Sequence, residues 1–222
     1  MTKRWIAILS AYILLFTGCA VPSNAAGAST YVLLDPGHGG VDGGTAASDG
    51  TLEKDINLLI ALQLRDLMRV CGINVAMTRE TDITVADPSC VSIHDKKVSD
   101  LRNRLSMYQS AALVISIHQN YFEHPKYQGT QVFYSPNHAQ SARLAEAVQQ
   151  AVCQHLQKDN ARKIKSATDG IYLMHHTTVP AILVECGFLS NPNEAALLKQ
   201  DVYRQQLAFA IMAGYWNYCL GM

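Results

Sequence analysis

From residue 31 onward the chain alternates short apolar runs with longer stretches of helical period, and this alternation limits the fold more than any other feature. The run "YVLLD" (31–35) has the length and composition of a buried strand. The next segment, "LEKDINLLIALQLRDLMRVCG" (52–72), carries Ile56, Leu59, Ile60, Leu64, Leu67 and Met68 at the spacing of one helix face, and it stops at Gly72. The same reasoning predicts strands over 73–78, 112–118, 129–135 and 180–188, and helices over 98–110, 139–157 and 200–219. Strand followed by helix, repeated, implies a single-domain α/β three-layer sandwich with a mostly parallel twisted sheet flanked by helices. No internal repeat and no linker divides the chain, and 222 residues suffice for one sizeable core. The least regular stretch, 79–97, reads as a loop or lid.

Residues 1–30 are of another kind. Lys3 and Arg4 precede an uncharged run, "IAILSAYILLFTG", followed by the small-residue stretch "CAVPSNAAGAS". A basic start, a short apolar run and small residues make an export signal. The run is shorter than the ~20 residues that span a bilayer. Three outcomes stay open: cleavage near Ala25–Ala28, lipidation at Cys19 of a lipobox-like "LFTGC", or an uncleaved anchor. Each puts the domain 31–222 outside the cytoplasmic membrane, with membrane contact only through the N-terminal segment. Eighteen Lys and Arg balance eighteen Asp and Glu, a formal net charge of zero, which argues against a nucleic-acid partner. Beyond Cys19 lie Cys71, Cys90, Cys153, Cys186 and Cys219, with no CxxC pair to suggest a zinc knuckle. Their odd number leaves at least one free thiol, and they read as small buried hydrophobes.

In folds of this kind ligands gather at the carboxyl ends of the strands. His38 lies just past the first strand, in "LLDPGHGG" (33–40); His118 ends "ALVISIH"; Glu185 lies near the end of "PAILVECGF". Pro36 and the flanking glycines permit a tight turn that turns the His38 ring toward a cleft. Glu53 starts the helix after the glycine loop. Alone it reads as a helix-dipole complement; beside two rim histidines it completes a two-imidazole, one-carboxylate set with an open fourth position, the arrangement of zinc hydrolases. The residues themselves leave that assignment open, and leave Glu185 divided between a catalytic role and a buried structural acid. Cys186, next on the strand, faces the opposite side and belongs to the core. His175 and His176 read as cleft wall or surface, and Asn120 either contacts substrate or fixes its own loop.

The stretches "LLDPGHGGVDGGT", "LEKDINL", "TRETD", "LRNRLSMYQSAALVISIHQN", "GTQVFYS" and "VPAILVECGFLSNPNEAALL" run in one order over roughly 31–218. In these the chain resembles the zinc-dependent N-acetylmuramoyl-L-alanine amidases, the type 3 family of cell-wall hydrolases. "SIHDKKVSDLRNRL" and "IYLMHHTTVPAILVE" are similar to its spore-cortex branch. The resemblance implies one zinc ion on His38, Glu53 and His118, with Glu185 as the catalytic carboxylate. It implies peptidoglycan as substrate, cut between the muramic acid lactyl group and L-alanine, in cortex maturation through muramic lactam. With no wall-binding repeat in the sequence, an activating protein partner is a further expectation, docking at the 79–97 loop and the 139–157 helix. Gln119 and His175 depart from the family pattern, and the 119–129 stretch is too short for an autoinhibitory insertion. A vegetative wall-remodelling amidase, a wall-binding or partner-dependent relative with little activity alone, and a peptidase of the stem remain as alternatives.

Overall fold

The computed structural model describes residues 31–222, so the export segment and Cys19 lie outside the described residues. Strands β1 (Val32–Pro36), β2 (Val75–Met77), β3 (Leu113–Asn120), β4 (Gln131–Tyr134), β5 (Lys165–Ser166) and β6 (Ala181–Phe188) form one sheet in the order β2-β1-β3-β6-β4-β5. β2, β1, β3 and β6 run parallel; β4 is antiparallel to β6, and β5 runs parallel to β4. The helices are α1 (Glu53–Val70), α2 (Ile93–Gln109), α3 (Ala139–His155), α4 (Tyr172–His176), α5 (Pro192–Leu198) and α6 (Asp201–Leu220).

The period-2 alternation of the strands sorts the core into two layers. Val32, Leu34, Ile115, Ile117, Ile182 and Val184 face α1, α3 and α6, where Ile60, Leu64, Leu144 and Ile211 are fully buried. Leu33, Val114 and Leu183 face the other way, against Tyr108 of α2 and Leu173 and Met174 of α4. The three-layer sandwich follows. α3 and α6 cross closely at Gly214, where a Cβ would stand 2.4 Å from Cα of Val148.

The helix expected at 98–110 starts earlier, at Ile93. Ser92 caps it: its Oγ accepts from the Asp95 amide at 3.0 Å and donates to the Asp95 carboxylate at 2.6 Å. The stretch expected to be a loop or lid is therefore shorter, and it is strapped down. Asp100 of α2 accepts from Thr84 Oγ1 (2.8 Å) and the Val85 amide (2.9 Å), while Asn103 donates to the Val85 carbonyl at 2.7 Å. The cysteine reading holds only in part. Cys186 is fully buried, whereas Cys71, Cys90, Cys153 and Cys219 are only partly buried.

Candidate active site

β1 delivers the first histidine through a turn that only glycine permits. The Gly37 amide donates to the Ile117 carbonyl at 3.0 Å, so the chain leaves β1 still alongside β3. A Cβ on Gly37 would stand 2.1 Å from Nε2 of His118, inside the imidazole's van der Waals surface. His38 itself adopts the left-handed region (φ 61°), the one non-glycine residue among those described to do so. That conformation costs energy, and the surroundings impose it. Two buried guanidiniums grip the carbonyls of the turn. Arg79 donates to Pro36 and Gly37 (both 3.0 Å), and Arg104 donates to His38 at 2.7 Å. Arg104 is neutralised by Asp35, which also accepts from Tyr108, from Thr78 Oγ1 (2.7 Å) and from Ser116 Oγ (2.9 Å). Burial alone would raise the Asp35 pKa; the Arg104 charge and these hydrogen bonds overcome it and hold the carboxyl at about 2.

His38, Glu53 and His118 offer three donor atoms that all lie within 4.8 Å of one another. His38 Nε2 stands 3.3 Å from Glu53 Oε2, and His118 Nδ1 stands 2.9 Å from Glu53 Oε1. The carboxylate is fixed from several sides. Oε2 accepts from the Thr45 amide at 2.9 Å; Oε1 accepts from the Gln119 amide at 3.0 Å and from Asn57 Nδ2 at 3.4 Å. Gly44 makes room for it, since a Cβ there would meet Oε2 at 2.6 Å. Asp42 pairs with His38 Nδ1 at 2.9 Å and with Lys97 Nζ at 3.0 Å. That contact fixes Nδ1 as the protonated nitrogen of neutral His38 and frees Nε2 for a ligand. Burial opposes charging His38, but its bonds to Asp42 and Glu53 raise its pKa to about 9. Burial would likewise raise Glu53; the two imidazoles hold it well below the usual carboxylate range. Two imidazole nitrogens and one carboxylate oxygen converging in this way are a donor set that suits zinc.

Glu185 completes the rim. It is the Cα partner of His118 across β3 and β6, so the two side chains leave the same face of the sheet. Its Oε2 is buried with no hydrogen-bond partner. Burial raises its pKa to about 7; the His118 charge opposes this, Glu53 reinforces it and His38 opposes it. Cys186 is fully buried on the opposite face. Asn120 uses its carbonyl to accept from the Leu189 amide at 2.9 Å, tying β3 to the turn beyond β6. His175 and His176 are exposed on α4 and stand outside the donor cluster. Asp42, Asn57, Arg79 and Arg104 escaped the sequence reading. For Asp42 a signal existed, a carboxylate four residues after a histidine in a glycine-rich turn.

The family model for N-acetylmuramoyl-L-alanine amidases matches residues 32–216. The germination-specific N-acetylmuramoyl-L-alanine amidase of Bacillus subtilis is 40% identical over 189 residues, 84% of this chain and 78% of that protein. The CwlD amidase of Clostridioides difficile, solved in complex with the GerS lipoprotein, aligns with a TM-score of 0.83 and 37% identity over 87% of this chain and 100% of its own. The amidase AmiC2 of Nostoc punctiforme aligns with a TM-score of 0.68 and 28% identity over 88% of this chain and 100% of its own. Sequence and fold agree, and the chain belongs to the Amidase_3 family of N-acetylmuramoyl-L-alanine amidases.

Proposed function

We propose that the chain is a zinc hydrolase that cleaves the amide joining the lactyl group of N-acetylmuramic acid to L-alanine of the stem peptide. His38, Glu53 and His118 hold the zinc ion, and Glu185 moves the proton. One observation carries the reading: a carboxyl with an unpartnered buried oxygen stands beside a three-donor cluster on the same rim. Zinc supplies Lewis acidity there, making water a nucleophile near neutral pH and polarising a carbonyl oxygen. Glu185 takes a proton from the attacking water as the new C–O bond forms. It then delivers that proton to the alanine nitrogen as the C–N bond breaks, so the amine leaves neutral. Asn120, at the same rim, serves as a substrate contact.

Residues 1–30 act as an export signal or lipoprotein anchor, so the enzyme meets its peptidoglycan outside the cytoplasmic membrane. Likeness to the germination-specific and CwlD amidases supports a role in cortex maturation, where removal of stem peptides precedes muramic lactam formation. Lactam closure needs a separate deacetylation. The lipoprotein bound to the Clostridioides difficile amidase supports an activating protein partner here.

The test is mass spectrometry of digested peptidoglycan. Wild type releases stem peptides with an L-alanine amino terminus. Glu185→Gln keeps its zinc and loses roughly 10²–10⁴-fold in rate, the usual contribution of general acid–base help. Cuts inside the stem peptide, or a near-normal rate in Glu185→Gln, contradict the reading. For the spore role, a deletion strain should make cortex without muramic lactam while its growing cells separate normally; unchanged cortex with chained cells contradicts it.

A further inference from the structure

Next to the two histidines a cavity of ≈ 220 Å³ opens toward α2. That is less than the ~300–1,000 Å³ of sites for drug-sized ligands, so it accepts one residue-sized group and not a glycan strand. Val41, Leu101 and Leu173 give it apolar walls, and Lys96 and Lys97 stand at it. Its charges are nearly all spent internally. Asp35 and Asp100 share Arg104, and Asp42 pairs with His38 and Lys97. Lys96, half-buried in the first turn of α2, has no ion-pair partner among the described residues. Lys96 is therefore the one cation lining the cavity that no carboxylate of the described residues pairs with, and it is flanked by apolar surface that suits methylenes.

We propose that this cavity takes the second residue of the stem peptide, and that Lys96 sets specificity by meeting that residue's free carboxylate. The inference rests on the amidase reading. The sugar side of the cleaved bond has no free acid, because the lactyl carboxyl is the one tied up in the amide. The residue after L-alanine is a glutamate linked onward through its side chain, leaving its α-carboxyl free in some walls and amidated in others. One residue spans ~3.3–3.6 Å of extended chain, so a group directly after alanine falls next to the reacting bond. The cavity borders His38 and His118, which places it at that distance from the cluster. A carboxylate seated there makes a charge-assisted bond to Lys96; a carboxamide does not.

The experiment uses two soluble muramoyl peptides, identical except for a carboxylate or a carboxamide at the second residue. Wild type, Lys96→Gln and Lys96→Arg are compared by kcat/KM, with zinc content measured for each. Wild type should favour the acid by about tenfold, the worth of one hydrogen bond to a charged group. Lys96→Gln should remove the preference by slowing the acid substrate while leaving the amide within about twofold, and Lys96→Arg should restore it. Equal rates for acid and amide in wild type, or an equal loss on both in Lys96→Gln, overturn the proposal and leave the amidase reading intact. Failure of wild type to cut either substrate at the lactyl amide overturns both.

Discussion

Replacing Asp35 by Asn changes one oxygen for an NH₂ group in a site that offers only donors. The carboxylate accepts from Arg104 and Thr78 on one oxygen, and from Tyr108 and Ser116 on the other. Whichever way the amide turns, its NH₂ faces two donors, and Arg104, 2% exposed, keeps only Asp100 as counter-charge. The ionised form of Asp35 is favoured by folding: its pKa falls from 3.8 to about 2. That difference corresponds to roughly 2 kcal/mol, since each tenfold change is worth ~1.4 kcal/mol. Adding the unmet donors, Asp35→Asn should lose about 3–5 kcal/mol at neutral pH, the range for breaking a buried ion pair. The sign of the pH dependence follows from the depressed pKa. The charge-dependent share is fully present above the unfolded value of 3.8 and disappears as pH falls through about 2. The stability gap between wild type and variant should thus stay level from pH 7 to about 5 and shrink by about 1 kcal/mol at pH 3. Urea unfolding midpoints for both proteins across that range measure it, because titrations shared by the two cancel in the difference. A gap that stays constant down to pH 3, or widens, refutes the argument that the Asp35 charge is what Arg104 requires.

Three further outcomes follow from the packing and the site. Gly37→Ala puts a Cβ where the His118 ring lies, 2.1 Å from Nε2; calorimetric titration should show zinc affinity down by more than ~10-fold, as for other displaced metal supports, with the far-ultraviolet spectrum unchanged. His118→Ala removes one of three donors and should lose nearly all bound zinc by elemental analysis, and full occupancy would contradict the assignment. Gly214→Ala forces α3 and α6 apart, since the new Cβ meets Val148 Cα at 2.4 Å; a loss of about 1–3 kcal/mol, read as a lower melting temperature with the zinc site intact, is expected for such overpacking.

The rim was legible in the sequence because each of its members sits at an element end that periodicity can locate. His118 closes an apolar run, Glu185 lies near the end of another, and Glu53 opens a helix right after the glycine loop. Its foundations were not. Arg104 sits in "LRNRL", on an amphipathic helix where an arginine ordinarily points to water, and nothing local says that Asp35, 69 residues earlier, draws it inside. Arg79 hides in an irregular stretch for the same reason. The start of α2 was readable in principle from Ser92 and Asp95, a capping pair, but the neighbouring Val91 and Ile93 are exposed and blurred the amphipathic pattern. The direction of β4 depends on how the 121–130 segment returns to the sheet, which is a property of the whole fold and not of "GTQVFYS". The cysteines misled because composition cannot distinguish a thiol in the core, as at Cys186, from one at a helix end, as at Cys71.

The three donors come from positions 38, 53 and 118, on a turn, a helix and a strand that meet only once β1 has paired with β3. An unfolded chain holds no such constellation. A zinc ion bound there is thermodynamically a folding ligand, acting as a reversible cross-link over 80 residues of sequence between the two histidines. At a free concentration 100 times its dissociation constant it adds ~2.7 kcal/mol to the stability of the whole sandwich. For a domain of this size each kcal/mol moves the melting temperature by ~2–4 °C. On the proposed zinc site, metal supply would therefore set how long the fold survives as well as how fast the enzyme works.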